Sequence, residues 1–136
     1  MSIVRQRRKA ETRSLLLDAG LRVVAERGIE LASLDEVAQA AGFTKGAIYR
    51  QFPSKGAFLL ALFEQYAAVA RAGAGARGAP WFVPLTVQFA SQALRDPLLG
   101  RRLTVVLAEA PDGGGPEGQL LKALARVLPG RDAMPS

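Results

Sequence analysis

The sequence predicts an all-α protein in two parts, a three-helix helix-turn-helix head followed by a helical body. Three observations predict it. Apolar residues recur at spacings of three and four along most of the chain, which places them on one face of a helix. The alternation of apolar and polar residues that marks a half-buried strand is absent. Ser, Thr, Asp, Gly and Pro punctuate the apolar runs where helices start and stop.

Met1 to Lys9 reads as a loose basic arm. A helix follows from about Ala10 to Arg27, with Leu16, Ala19, Gly20, Val23 and Val24 on its inner face, and Gly28 stops it. The second helix starts at Ser33, where Ser33-Leu34-Asp35-Glu36 has the form of a capping box: the Ser hydroxyl accepts from the amide of Glu36 and Glu36 reaches back. Leu34, Val37, Ala38 and Ala41 form its inner face, and Gly42 ends it in a turn that needs positive φ. Thr44 caps a third helix through Phe52, Pro53-Ser54 breaks the chain, and a fourth helix runs from Lys55 to about Arg71. Residues 72–80 are rich in Gly and Ala and read as a flexible hinge. Trp81 to Arg95 is amphipathic helix, Asp96-Pro97 marks a break and restart, and Leu98 to Ala110 is helical again. Pro111 to Gly118 reads as loop, Gln119 to Leu128 as a last short helix, and the remainder as tail. The domains are then 1–54 for the head, with its basic arm at 1–9, 55–71 for a connecting helix, and 72–136 for the body.

With 136 residues, 49% of them hydrophobic and a mean hydropathy of +0.12, the chain has enough apolar matter for a buried core. Its net charge of +6 points to an acidic partner, nucleic acid or an anionic surface. Residues 1–60 carry ten Lys/Arg against six Asp/Glu. The absence of Cys and His excludes disulfides, Cys/His zinc sites and His-dependent nucleophile systems. Neither a signal peptide nor a run of about eighteen apolar residues is visible, so the expectation is a cytoplasmic protein without membrane contact. No two carboxylates share a predicted apolar cleft, and the Gly-rich stretches match neither a phosphate-binding loop nor a dinucleotide fingerprint. The expectation is no enzyme, no metal and no cofactor.

The head carries the chemistry. Ala38 is small where the second and third helices approach, and Val37, Ala41, Phe43 and Ile48 lock them together. That leaves Thr44, Lys45, Ala47, Tyr49, Arg50 and Gln51 facing out, hydrogen-bonding or small side chains suited to a major groove. Singly, each has a plainer role: Ser33 as a cap, Lys55 as a solvated lysine, Tyr49 as a half-buried aromatic. The basic arm around Arg5, Arg7, Arg8 and Lys9 reads either as a phosphate tracker or as a solvated leader.

Thr12-Arg13, Leu16-Leu17-Asp18-Ala19, Glu26-Arg27-Gly28, Ser33, Val37-Ala38, Ala41-Gly42, Thr44-Lys45-Gly46, Ile48-Tyr49, Phe52-Pro53-Ser54-Lys55 and Leu59-Leu60 together resemble the tetracycline-repressor (TetR) family, over about Thr12 to Tyr66. The resemblance implies a sequence-specific repressor of transcription, responsive to a small hydrophobic effector and bound as a homodimer to a palindromic operator in double-stranded DNA. It implies phosphate contacts at Ser33 and Lys55 and backbone or base contacts at Thr44, Lys45, Gly46 and Tyr49, with Arg50 a further candidate.

In the body, Trp81-Phe82-Val83-Pro84-Leu85 and Ala93-Leu94-Arg95-Asp96-Pro97 resemble a stretch of the family's ligand-binding region. Trp81, Phe82, Phe89 and Leu103 are candidates for an effector pocket, with ordinary core as the competing reading. Two departures stand out: the Gly/Ala stretch replaces the helix expected after the fourth, and the chain ends before two full closing helices. A shortened body, acting as a DNA-binding or helical interaction module without ligand sensing, is the alternative. The apolar residues of the last helices, Leu103 and Leu107 among them, are expected to form a dimer face.

Overall fold

The computed structural model describes residues 2–110, 119, 120, 122–124 and 126, which form helices joined by turns and short irregular links, with no strand among them. The elements are α1 (Ser2–Arg27), α2 (Leu34–Ala41), α3 (Lys45–Gln51), α4 (Lys55–Ala72), α5 (Ala74–Arg77), α6 (Phe82–Ala93) and α7 (Pro97–Glu109). The chain divides into two compact units, 1–65 and 66–136, with the boundary inside α4. The loop expected at Pro111 to Gly118 lies outside the described residues. So does part of the helix expected at Gln119 to Leu128, of which residues 119, 120, 122–124 and 126 are described and are helical.

The first unit buries Leu16, Leu21 and Val24 of α1 against Leu34, Val37 and Ala38 of α2, Ile48 of α3, and Phe58 and Leu62 of α4. Phe52, between α3 and α4, meets Phe58 edge to face with ring centroids 5.0 Å apart, and the Arg13 guanidinium lies 4.8 Å above the Phe52 ring. Gly20 lets α4 approach: a Cβ there would collide with Phe58 Cζ and fall 3.1 Å from Leu62 Cδ1. Gly42 takes φ +81° as its turn demands, and its N–H bonds back to the last carbonyls of α2.

One expectation is corrected at the start of the chain. The basic arm is not loose: α1 begins at Ser2 and runs unbroken through it. Positions 2–19 contain no Gly or Pro and are rich in Arg, Gln, Lys, Glu, Ala and Leu, which lose little on entering a helix. A long-range bond adds to this, Gln51 Nε2 donating to the carbonyl of Lys9 at 3.0 Å.

The second unit is organised around Tyr66. Its ring stacks on Phe82 at 5.1 Å and 13°, and meets Phe89 at 5.1 Å. The Thr86 hydroxyl donates to the Phe82 carbonyl at 2.8 Å, so the Tyr66 hydroxyl, 2.8 Å from Thr86 Oγ1, is the donor of that pair. Burial pushes the Tyr66 phenol up to about 12, an effect that the charge of Arg77 partly offsets. α6 and α7 lie close where Gly100 faces Ala93, and Asp96 caps α7 by accepting from the Leu99 amide at 3.2 Å.

The Gly/Ala stretch also differs from expectation. α4 reaches Ala72, Gly73 breaks it with φ +109°, and a single turn, α5, follows. Arg77 at the end of that turn is buried. Of the pocket candidates, Phe82, Phe89 and Leu103 are buried in the packed interior and Trp81 is half-buried as the residue preceding α6. The expected dimer face is corrected as well: Leu103 and Leu107 are buried within the chain. The apolar side chains left exposed on α6 and α7 are instead Val83, Val87, Leu98 and Val105, with Leu94 just beyond α6.

Candidate nucleic-acid interface

Three helix starts shape the candidate interface. At α2, Ser33 sits in extended backbone and its hydroxyl accepts from the Glu36 amide at 3.1 Å. The Glu36 carboxylate faces the Ser33 hydroxyl (3.4 Å) and pairs with Arg27 (3.1 Å), so its oxygens meet a side chain on either side of the helix start. At α3, Thr44 Oγ1 accepts from the Ala47 amide at 3.3 Å. At α4, Ser54 Oγ accepts from the Ala57 amide at 3.1 Å, a cap that the sequence marks only as a break after Pro53.

Contacts across the loops join these starts into one surface. Lys55 Nζ donates to the Glu30 carbonyl at 3.1 Å, which holds the first residue of α4 beside the loop before Ser33. Lys45 Nζ lies 3.6 Å from Asp35 Oδ2, which ties the start of α3 to the first turn of α2. Lys55 and Lys45 thus meet the chain on either side of Ser33, at Glu30 and Asp35. Ser33, Thr44, Lys45, Gly46, Tyr49 and Arg50 are exposed, and Lys55 is half-exposed.

Gly46 separates intrachain demand from outward fit. A Cβ added there meets only Thr44 Oγ1, at 3.9 Å, so nothing within the chain requires a glycine. Its effect is to keep the outer surface of α3 low beside Lys45 and Tyr49. Tyr49 is 44% exposed, with its phenol available outside the core.

Arg50 departs from the group. It lines a groove of about 580 Å³ with Phe43, Ala47 and Gln51 on one side and Arg8, Lys9 and Thr12 of α1 on the other. Two residues take roles here that their sequence context does not show, Asp35 beyond the capping box and Gln51 away from the outward face. Asp35 restrains Lys45 from ten positions away, and Gln51 anchors α1 from forty-two away. Neither has a local signature, because both act through the tertiary approach of helices.

Among the described residues, no group of three or more His, Cys, Asp or Glu side chains is placed to hold a metal, and no helix is long and apolar enough to cross a membrane.

Comparison with known proteins bears on the same segment. Residues 16–62 match the family described as bacterial regulatory proteins, tetR family. The transcriptional regulator AcrR of Shigella flexneri is 49% identical over 45 residues, 33% of this chain and 21% of that protein. SrpR of Pseudomonas putida is 44% identical over 45 residues, again 33% and 21%, and YwcC of Bacillus subtilis is 37% identical over 60 residues, 44% and 27%. The chain thus aligns with only about a fifth to a quarter of the length of these relatives. No solved structure matches at a significant level.

Proposed function

We propose, from the premise that this chain carries the amino-terminal domain of the tetR family, that it is a transcriptional regulator whose α3 reads the major groove of double-stranded DNA. The observation that carries the reading is the outward face of α3: Thr44, Lys45 and Tyr49 around a glycine that no internal contact demands. Ser33 and Lys55 flank that face at the starts of α2 and α4, where free amides and a cation attract phosphate.

Variants with separate signatures test this. Lys55→Ala is expected to weaken binding to all duplexes alike and to lower the slope of log affinity against log salt by about 0.9, one phosphate contact. Changes at Thr44 or Lys45 are expected to alter which sequence is preferred. Equal loss of preference in all three variants, or binding insensitive to salt, contradicts the assignment. Asp35→Asn is expected to raise affinity for any duplex, by up to about fivefold at low salt, since a surface ion pair is worth up to about 1 kcal/mol and is screened as salt rises. An unchanged or lower affinity removes Asp35 as the restraint on Lys45.

The assembly we propose is a cytoplasmic homodimer that represses from a palindromic operator, since two recognition helices about 34 Å apart read far more sequence than one. The exposed apolar side chains Val83, Val87, Leu94, Leu98 and Val105 support pairing of the bodies. Val87→Glu with Val105→Glu is expected to give monomers by light scattering with helical content retained, because neither side chain is buried. A monomeric unmodified chain contradicts the dimer. For the effector, the packing of Phe82 and Phe89 on Tyr66 favours the second reading, a regulator whose body serves assembly without ligand sensing.

A further inference from the structure

The groove between α1 and α3 invites its own account, because the positions that build it are far apart in sequence and its charge is of one sign. Its lining residues are Arg8, Lys9 and Thr12 of α1, Phe43 of the turn, and Ala47, Arg50 and Gln51 of α3, three cations with no carboxylate among them. The walls are held in place. Gln51 Nε2 donates to the Lys9 carbonyl at 3.0 Å, and Thr12 Oγ1 donates to the Arg8 carbonyl at 2.8 Å. Both bonds use backbone acceptors, so the charged ends of Arg8 and Lys9 are left exposed. Phe43 and Ala47 add apolar surface to the lining.

We propose that this groove is a second, sequence-independent contact with DNA, in which the sugar-phosphate backbone flanking the sequence read by α3 runs between Arg8 and Lys9 on one wall and Arg50 on the other. The inference rests on the reading of α3 as the recognition helix and extends the footprint of each subunit past it. Charge complementarity selects the occupant. A row of cations without a compensating carboxylate is suited to successive phosphates, and Arg50 belongs at once to α3 and to the groove. The helical form of the arm is what makes this a site rather than a charged leader. An unstructured run spreads its attraction over all its cations, whereas a helix commits one face. Arg8 and Lys9 flank Thr12 on that face, and Arg7 lies about 140° round the helix from Thr12.

The test uses the full chain and a 30-base-pair duplex of random sequence, titrated over a range of salt. Arg8→Gln with Lys9→Gln keeps the helix-forming tendency and both tethering bonds. It is expected to lower the slope of log affinity against log salt by about 1.8 and to reduce affinity about tenfold at moderate salt. Arg7→Gln, which removes a charge from outside the groove, is expected to change the slope by far less than half that amount. Gln51→Ala leaves every charge in place but cuts the tether, and is expected to reproduce part of the loss. A slope unchanged in the double variant, an Arg7→Gln effect equal to that of each groove charge, or an unaffected Gln51→Ala overturns the groove while leaving recognition by α3 standing. Failure of the unmodified chain to bind any duplex overturns both. Preferential binding to anionic lipid vesicles with the same Arg8 and Lys9 dependence overturns it in favour of a membrane surface.

Discussion

Gly20→Leu is expected to destabilise the amino-terminal unit by about 3 kcal/mol, among the largest effects of any exchange in α1. Replacing Gly by Leu inside a helix ordinarily stabilises it by somewhat under 1 kcal/mol through propensity. Here the sign reverses because even a Cβ would collide with Phe58 Cζ. That ring has nowhere to go: it is buried and set edge-on against Phe52. Phe58→Ala is the complementary experiment, removing the obstruction and leaving a void, at about 3–5 kcal/mol. The pair is expected to be non-additive, since the side chain introduced by Gly20→Leu would occupy part of the space that Phe58 vacates. Denaturant unfolding of the single and double variants checks this. Additive losses would mean that the two positions do not share one packing site.

The second large effect is alkaline. Tyr66 is fully buried and its phenol is pushed from 10.0 to about 12 by burial. Between those values the unfolded chain has lost the proton that the folded chain still holds, so stability falls as pH rises. The contribution is fully present below pH 10 and is lost as pH passes through about 12. Two pKa units correspond to about 2–3 kcal/mol. Tyr66→Phe is expected to cost about 1 kcal/mol at neutral pH, where the bond to Thr86 is lost, and to remove this part of the alkaline slope. Trp81 is the only tryptophan and stands beside Phe82, so its fluorescence follows the second unit. Parallel alkaline profiles for the two proteins would show that Tyr66 does not govern the loss.

Much of the head was legible because its signals are local. A cap, a positive-φ glycine and an apolar stripe each lie within one turn or one helix, as at Ser33, Gly42 and Thr44. What escaped was tertiary. The arm reads as solvated because its residues are charged, yet the bond that pins it comes from Gln51. α6 carries two apolar stripes, Phe82, Leu85 and Phe89 on one side, Val83 and Val87 on the other. Periodicity alone does not say which of them the rest of the body covers. Among the candidate contact residues, orientation was not readable. Nothing local distinguishes Arg50, turned to the α1 groove, from Lys45, paired with Asp35.

Selection from random double-stranded oligonucleotides with the purified chain shows whether α3 reads DNA sequence. A discrete motif with two inverted half-sites is expected to be enriched, and to be lost or changed when Thr44 or Lys45 is replaced. Recovery of unenriched sequence, or a motif indifferent to both replacements, would contradict sequence reading by α3.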